Sequence, residues 1–366
     1  MTERWRYIDA AAMDAPVAFG RMPILAASVV QGGPEVLMTG MFGAGHFQIG
    51  WFEDVDAVLD LAEARARGVQ VFRRPVWGGG TAFYDTNASA LLSFFIRDDH
   101  FPTLDAALLH FRPIMEQVLG DLGLGEARFE GSSDIRWEGR KLGTLITQSV
   151  LGTKVVGGFF NLRKPDLELY AAVARVPEEK FKDKIIKDQV AYICTPGDVR
   201  GTDLGYEEFR DAVIRAARTT GALTLDPTGF TAEEDLGTKG FVDTVSADDY
   251  IRRVSTERFR GSVPAGTRAG FANVKGKKLV RAGVALDGSS RIAAAMMAGD
   301  MHVSPPEAMD RMAAALVDAD VNDRDELVRR ARAVLDEPDV TQPDETAGIT
   351  PEDCAEAVQL AAKNAG

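Results

Sequence analysis

Arg73-Arg74-Pro75-Val76-Trp77-Gly78-Gly79-Gly80-Thr81-Ala82-Phe83-Tyr84-Asp85 is the stretch from which the rest of the chain is read. It follows an apolar run, Val69 to Arg73, that suits a strand, and its three glycines leave the backbone bare where a ligand could approach. Two arginines beside that bare backbone can hold carboxylate or phosphate oxygens through paired N–H donors. The same residues also suit an ordinary glycine-rich turn with a solvated arginine pair.

Working outward, residues 36–41, 47–51 and 90–96 read as strands and 55–67 as a helix stopped by Gly68. Leu104, Leu108, Phe111, Met115 and Leu119 recur at helical spacing. Short strands are expected at 127–130, 134–137, 140–147 and 155–161, and helices at 167–174 and 206–219. Residues 226–258 are polar and glycine-punctuated, with a helix expected only at 247–254. Beyond Val263-Pro264-Ala265-Gly266, two alternating runs flank Asp287-Gly288 as a hairpin. Ser304-Pro305-Pro306-Glu307 has the spacing of a helix start, and further helices are expected at 322–335 and from Thr350. Short strands mixed with helices, without regular βαβ alternation, give an α+β class. The expected division is 1–262 and a smaller 263–366, with an acidic connector at 336–348 and a terminal helix.

A formal net charge of −13 argues against a nucleic-acid footprint, which needs a basic face. No apolar run approaches a membrane span, and no apolar segment follows Arg4 and Arg6, so neither a membrane nor a signal peptide is expected. Two cysteines far apart, Cys194 and Cys354, suit a reducing cytoplasm. The four histidines lack ligand-type spacing, so no zinc site is expected. His46, in a glycine-flanked loop, suits a solvated position or one facing a ligand.

Two other segments could carry chemistry. In Gly131 to Gly143, Glu138-Gly139 suits a turn that would bring Asp134 and Lys141 together on paired strands. A carboxylate there could hold Mg²⁺ and an ammonium could neutralise a phosphate, or the two could form a surface ion pair. Glu178 to Asp188 carries four lysines within eight positions, either a solvated face or a local basic patch.

Taken in order, these segments resemble the lipoate/octanoate–protein ligases of the biotin/lipoate ligase superfamily. Trp5-Arg6-Tyr7-Ile8-Asp9 is similar to their opening "WRLID", and Arg73 to Asp85 to "RRxSGGGAVYHD". Ser133-Asp134-Ile135, Gly139 to Gly143 and Gln148 resemble "NDI…GRKIxG…Q". Val156 to Asn161 resembles "HGTLLxN", and Pro177 to Lys184 resembles "PxEKxxxK". Gly299-Asp300 with Ser304 to Glu307 is similar to the "GDFFxSPPE" turn of the accessory domain.

The resemblance implies a mixed, mainly antiparallel sheet with surrounding helices and a small C-terminal α+β domain. It implies that ATP and an acid, lipoate or a medium-chain relative, give an acyl-adenylate. A lysine of a lipoyl-domain or H-protein-like acceptor then attacks this adenylate. It places Lys141 as the catalytic cation, with Asp134 positioning Mg²⁺. Arg73 and Arg74 would hold the nucleotide or shape its loop. Trp77, Gly78, Gly79, Gly80, Gly143, Gly157, Gly158 and Lys184 complete the implied binding set. The chain departs from the pattern at Val76-Trp77, one residue longer than the family loop, at Ser133 for Asn and at Gly157 for His. A transferase using a cysteine such as Cys194 without ATP, and a non-catalytic binding protein on the same fold, are the alternatives.

Overall fold

The computed structural model describes residues 4–75, 79–131, 133–175, 192–288, 290–342 and 348–365. Trp77, Gly78 and Lys184 therefore lie outside the described residues. In chain order the strands are β1 (Arg4–Met13), β2 (Val36–Phe42), β3 (His46–Ile49), β4 (Gln70–Arg73) and β5 (Ala82–Tyr84). They continue with β6 (Ser89–Arg97), β7 (Arg128–Glu130), β8 (Asp134–Trp137), β9 (Arg140–Val150), β10 (Thr153–Asn161) and β11 (Thr224–Thr228). The last three are β12 (Arg268–Lys275), β13 (Leu279–Leu286) and β14 (Ile292–Gly299).

Packing divides the chain into two compact units: 1–46, 84–167 and 186–244 form the first, and 47–83, 168–185 and 245–366 the second. This differs from the linear division expected near 262, and the reason is visible inside the second unit. Phe52 belongs to the same apolar core as the C-terminal strands and helices, and Asp54 accepts from Thr256 and pairs with Arg281. Early and late segments thus share one core and one charge network.

The first unit holds an eight-stranded sheet in the order β11-β1-β2-β6-β10-β9-β8-β7. Only β11–β1 and β1–β2 are parallel, so the sheet is mixed and mainly antiparallel, as expected. The helix Ala15–Val30 makes the crossover between β1 and β2 that parallel strands require. β6 is central, and every residue of Ser89–Ile96 is buried, which explains its unbroken apolar character. Ala90, Leu92, Phe94 and Ile96 enter a core with Trp5 and with the helices Leu104–Asp121 and Tyr206–Thr219. Thr103 caps the first of these helices, its side chain accepting from the Ala106 N–H at 3.0 Å. On the other face Phe19, from the helix Ala15–Val30, meets Phe159.

The second unit carries two three-stranded sheets, β4-β3-β5 and β12-β13-β14. The second of these is an antiparallel meander, and the helix Pro351–Asn364 packs against β12 and β13. The helix expected over 55–67 is broken into Val55–Val58 and Leu61–Ala66. Leu59 turns extended to bridge Ala174, and Asp60 caps the second piece by accepting from Glu63. The helix start expected at Ser304 falls at Ala308 instead, because Ser304 pairs its backbone with Thr341 in both directions. In 226–258 the helix expected at 247–254 is a single turn, Asp248–Ile251, and a longer helix, Ala232–Val245, precedes it.

Candidate functional site

In the first unit, β8 and β9 form a hairpin whose turn residues Glu138 (φ 49°) and Gly139 (φ 75°) both have positive φ, the conformation a tight two-residue turn demands. Trp137 pairs with Arg140 and Arg136 with Lys141, and a register shift follows before Ile135 pairs with Gly143. Asp134 and Arg136 share one face of β8 because they are two residues apart, and Lys141 stands opposite Arg136. The turn and bulge therefore gather three charges that the linear sequence spaces over eight positions.

Lys141 Nζ lies 2.7 Å from Asp134 Oδ1, and Arg136 Nη2 donates to Asp134 Oδ2 at 2.8 Å. Burial raises the Asp134 carboxyl, but the Lys141 and Arg136 charges outweigh it and hold the pKa below the usual carboxylate value. Arg136 is itself fixed, donating to the Gly139 carbonyl at 2.8 Å and the Tyr192 hydroxyl at 3.0 Å. Two cations share one close carboxylate, while Glu130 stands 3.7 Å from Arg136 and is half exposed, where solvent screens it. The near group keeps one positive charge to spare, which suits an anionic ligand.

The backbone of Lys141 is clamped as well. Its N–H donates to the Tyr192 carbonyl at 2.7 Å, and its carbonyl accepts from the Cys194 N–H at 2.9 Å. Asn161, at the end of β10, donates to both the Lys141 and Cys194 carbonyls. Nothing local in the sequence signals the pairing of residue 193 with residue 141, which is long-range.

Gly143, Gly157 and Gly158 have a structural reason for lacking a side chain. A Cβ on Gly143 would lie 2.8 Å from the Phe159 carbonyl oxygen, and one on Gly157 would lie 2.7 Å from Ser93 Oγ. On Gly158 it would collide with the Thr144 carbonyl. These glycines let neighbouring strands approach closely. Gly158→Ala is expected to cost about 2 kcal/mol or more through overpacking, read as a lower midpoint in chemical denaturation; an unchanged midpoint would contradict the tight approach.

Asp134 was the expected Mg²⁺ ligand. Its two oxygens face two cations, and among the described residues no group of three or more His, Cys, Asp or Glu could hold a metal ion. The residues present do not fit a protein-held dication, since Mg²⁺ would meet Lys141 and Arg136 at the same oxygens.

Cys194 is fully buried, and burial pushes its thiol up to about 11. A thiol that stays protonated at neutral pH is a poor nucleophile. Cys194→Ala should therefore leave any acyl transfer at near wild-type rate, with no thioester found by mass spectrometry; loss of turnover with a trapped thioester would revive the cysteine-dependent alternative.

His46 is neither solvated nor open to a ligand. It is buried, stacked on Tyr84 at 5.5 Å and edge-on to Phe42 at 4.4 Å, with Phe159 completing the aromatic group. Burial pushes its pKa from 6.5 down to about 4, so the folded chain holds it neutral while the unfolded chain protonates it below pH 6.5. Stability from this group is present above pH 6.5 and is lost as pH falls towards 4, a change of roughly 3 kcal/mol. Between pH 7 and 4 wild type should lose stability relative to His46→Leu, in which the titrating group is absent, read from denaturation midpoints; parallel curves would refute the assignment.

In the second unit, Arg73 is fully buried. Its guanidinium donates to the carbonyls of Gly50, Trp51, Glu53, Tyr250, Ile251 and Val254 at 2.7–3.3 Å. These carbonyls occupy its N–H directions and tie the backbone near residue 50 to that near residue 250. Burial lowers its pKa to about 10, and it remains a cation at neutral pH. Arg74 points its Nη2 at the Gly80 carbonyl, 2.8 Å away. Gly79 adopts φ +73°, which favours glycine, and its carbonyl presses on Gly50 where a Cβ would have no room. Glu53 holds the far side of the loop through Thr81 Oγ1 and the Gly50 N–H.

Residues 30–218 match the family model described as the lipoyl protein ligase A/B catalytic domain. The chain is 26% identical over 226 residues to lipoate-protein ligase A subunit 1 of Thermoplasma acidophilum, covering 58% of this chain and 79% of that protein. In fold it is similar to P. falciparum LipL1 in complex with lipoate, with a TM-score of 0.64, 12% identity, and 93% and 97% of the two chains covered. It is also similar to the bipartite lipoate protein ligase of Thermoplasma acidophilum studied with its E2 lipoyl domain. There the TM-score is 0.55 at 20% identity, over 69% of this chain and 97% of that one. No helix among the described residues is long and apolar enough to cross a membrane.

Proposed function

From the premise that this chain belongs to the lipoyl protein ligase A/B catalytic-domain family, we propose that it activates lipoate or a related medium-chain acid with ATP and passes the acyl group to a lysine of a lipoyl-type acceptor protein. The observation that carries this reading is the Lys141 ammonium, anchored by Asp134 and clamped at its backbone by residues 192–194, inside the segment that matches the family.

A carboxylate and an amine do not condense in water without activation. In the first step the acid's oxygen attacks the α-phosphorus of ATP, forming the acyl-adenylate and expelling pyrophosphate. Two anions meet in that step, so a fixed cation lowers its barrier. Lys141 supplies the cation, and Asp134 sets the direction of its amine before substrate arrives. Arg136, held by Gly139 and Tyr192, keeps Asp134 from neutralising Lys141 completely. In the second step a deprotonated lysine amine of the acceptor attacks the acyl carbonyl and releases AMP. No step is routed through a protein-held Mg²⁺; the metal enters only as the counter-ion of ATP.

Supporting the acid and acceptor are a relative bearing the name lipoate-protein ligase and fold neighbours described with lipoate and with an E2 lipoyl domain. The test is pyrophosphate release from magnesium-ATP with lipoate, octanoate or biotin offered separately. Release with lipoate or octanoate, followed by a mass increase on an added lipoyl domain, is expected. Silence with all three acids would sink the reading.

A further inference from the structure

We propose that Asn161 is a positioning residue for Lys141: its side-chain amide, by spanning two backbone carbonyls, fixes the stretch of β9 from which the Lys141 ammonium projects. The inference deepens the ligase reading and rests on it for the reaction that Lys141 serves, while the hold of Asn161 on residue 141 is independent of it.

All the residues involved lie in the first unit. The pairing of β10 with β9 ends at Phe160 and Gly143, two residues short of Lys141. Lys141 bridges instead in parallel to Ile193, its N–H donating to the Tyr192 carbonyl at 2.7 Å and its carbonyl accepting from the Cys194 N–H at 2.9 Å. The bridge is isolated, so no ladder of further pairs holds its register. Asn161, the last residue of β10, supplies what the ladder does not. Its Nδ2 donates to the Lys141 carbonyl at 3.2 Å and to the Cys194 carbonyl at 3.0 Å, so one planar amide joins β9, β10 and the 192–194 segment. An ionised Asp has the same shape and offers no donor, which makes the amide chemistry itself the feature to test.

The other end of the Lys141 side chain is held by Asp134, 2.7 Å from Nζ. Between the two anchors runs a flexible four-carbon stem, and a charge on such a stem is placed only as well as its Cα. A cation that stabilises a transition state must sit where charge develops, and a misplacement of about 1 Å costs on the order of 10²-fold in rate. Cys194 is fully buried, and among the described residues its carbonyl accepts from Asn161 alone. Without that donor a buried acceptor is left unpaired beside the bridge, and the segment that clamps Lys141 gains a reason to move.

The test measures pyrophosphate release from magnesium-ATP and lipoate by the full chain, as wild type, Asn161→Ala, Lys141→Ala and the double variant. In Asn161→Ala the kcat should fall about tenfold or more, while KM for lipoate and for ATP stays within about twofold. Added to Lys141→Ala, the same substitution should cost less than about twofold further, because residues acting through one group are not additive. A general folding defect would lower the rate equally in both backgrounds. Hydrogen exchange followed by NMR is the second measure. In Asn161→Ala the amides of Lys141 and Cys194 should exchange faster than in wild type, while that of Val156, buried in β10, keeps its rate. Asn161→Ser, which retains one donor, should fall between the two and carries both measurements if the alanine variant does not fold. An unchanged kcat, equal losses in both backgrounds, or unchanged exchange at Lys141 and Cys194 would overturn the proposal. If no acid yields pyrophosphate from ATP, the ligase reading falls and exchange alone decides whether Asn161 holds residue 141. If turnover proceeds while the two losses add, the ligase reading stands and the role of Asn161 falls.

Discussion

Lys141→Ala should lower pyrophosphate release from ATP and lipoate by about 10²–10³-fold, the range seen when one fixed group stabilising transition-state charge is removed. The amine is partly exposed and its partner Asp134 keeps Arg136, so the folded state should lose no more than about 1 kcal/mol. The expected signature is therefore a large fall in rate at an unchanged thermal midpoint. Asp134→Asn should act through the same amine: it removes the charge that orients Lys141 and should reduce the rate less than removing the amine itself. A Lys141→Ala protein that releases pyrophosphate at the wild-type rate would remove the central cation from the mechanism.

Arg73→Met should act on stability. Replacing the guanidinium removes a donor from six carbonyls, of which those of Gly50, Tyr250 and Val254 keep a backbone N–H donor. The cost is about 3–5 kcal/mol, as for a broken buried network, or roughly 10 °C in thermal midpoint. Arg73→Lys should rescue little, because one ammonium cannot reach carbonyls contributed by two separate segments. If the midpoint stays put while nucleotide affinity falls, the guanidinium serves the ligand and the loop-shaping assignment is wrong.

The two variants mark the difference between what is local in this chain and what is not. Glu138-Gly139 is a turn by composition, and the strand character of residues on either side makes the Asp134–Lys141 juxtaposition legible in the sequence. Arg136 lies in the same hairpin, and strand alternation alone puts it on the face of Asp134. Cys194 could be read as a small apolar residue after Val190 to Ile193, and its burial agrees. His46 could not be read: glycine neighbours suggested solvent, while the aromatic rings that bury it, Phe42, Tyr84 and Phe159, come from three different strands. Arg73 and Arg74 look alike in sequence, yet one is consumed by carbonyls from residues near 50 and near 250, and the other faces Gly80.

Periodicity and turn chemistry act over a few residues, so the sequence alone determined the α+β class, the helix Tyr206–Thr219, the β8–β9 hairpin and the candidate cation on it. Only the tertiary structure decided which glycines serve strand packing, that Ser304 joins a bridge before its helix begins, and that residues 47–83 share a core with the C-terminal part. Those outcomes depend on partners distant in the sequence or on another strand. Burial and charge between such partners are properties of the assembled chain, which no local pattern carries.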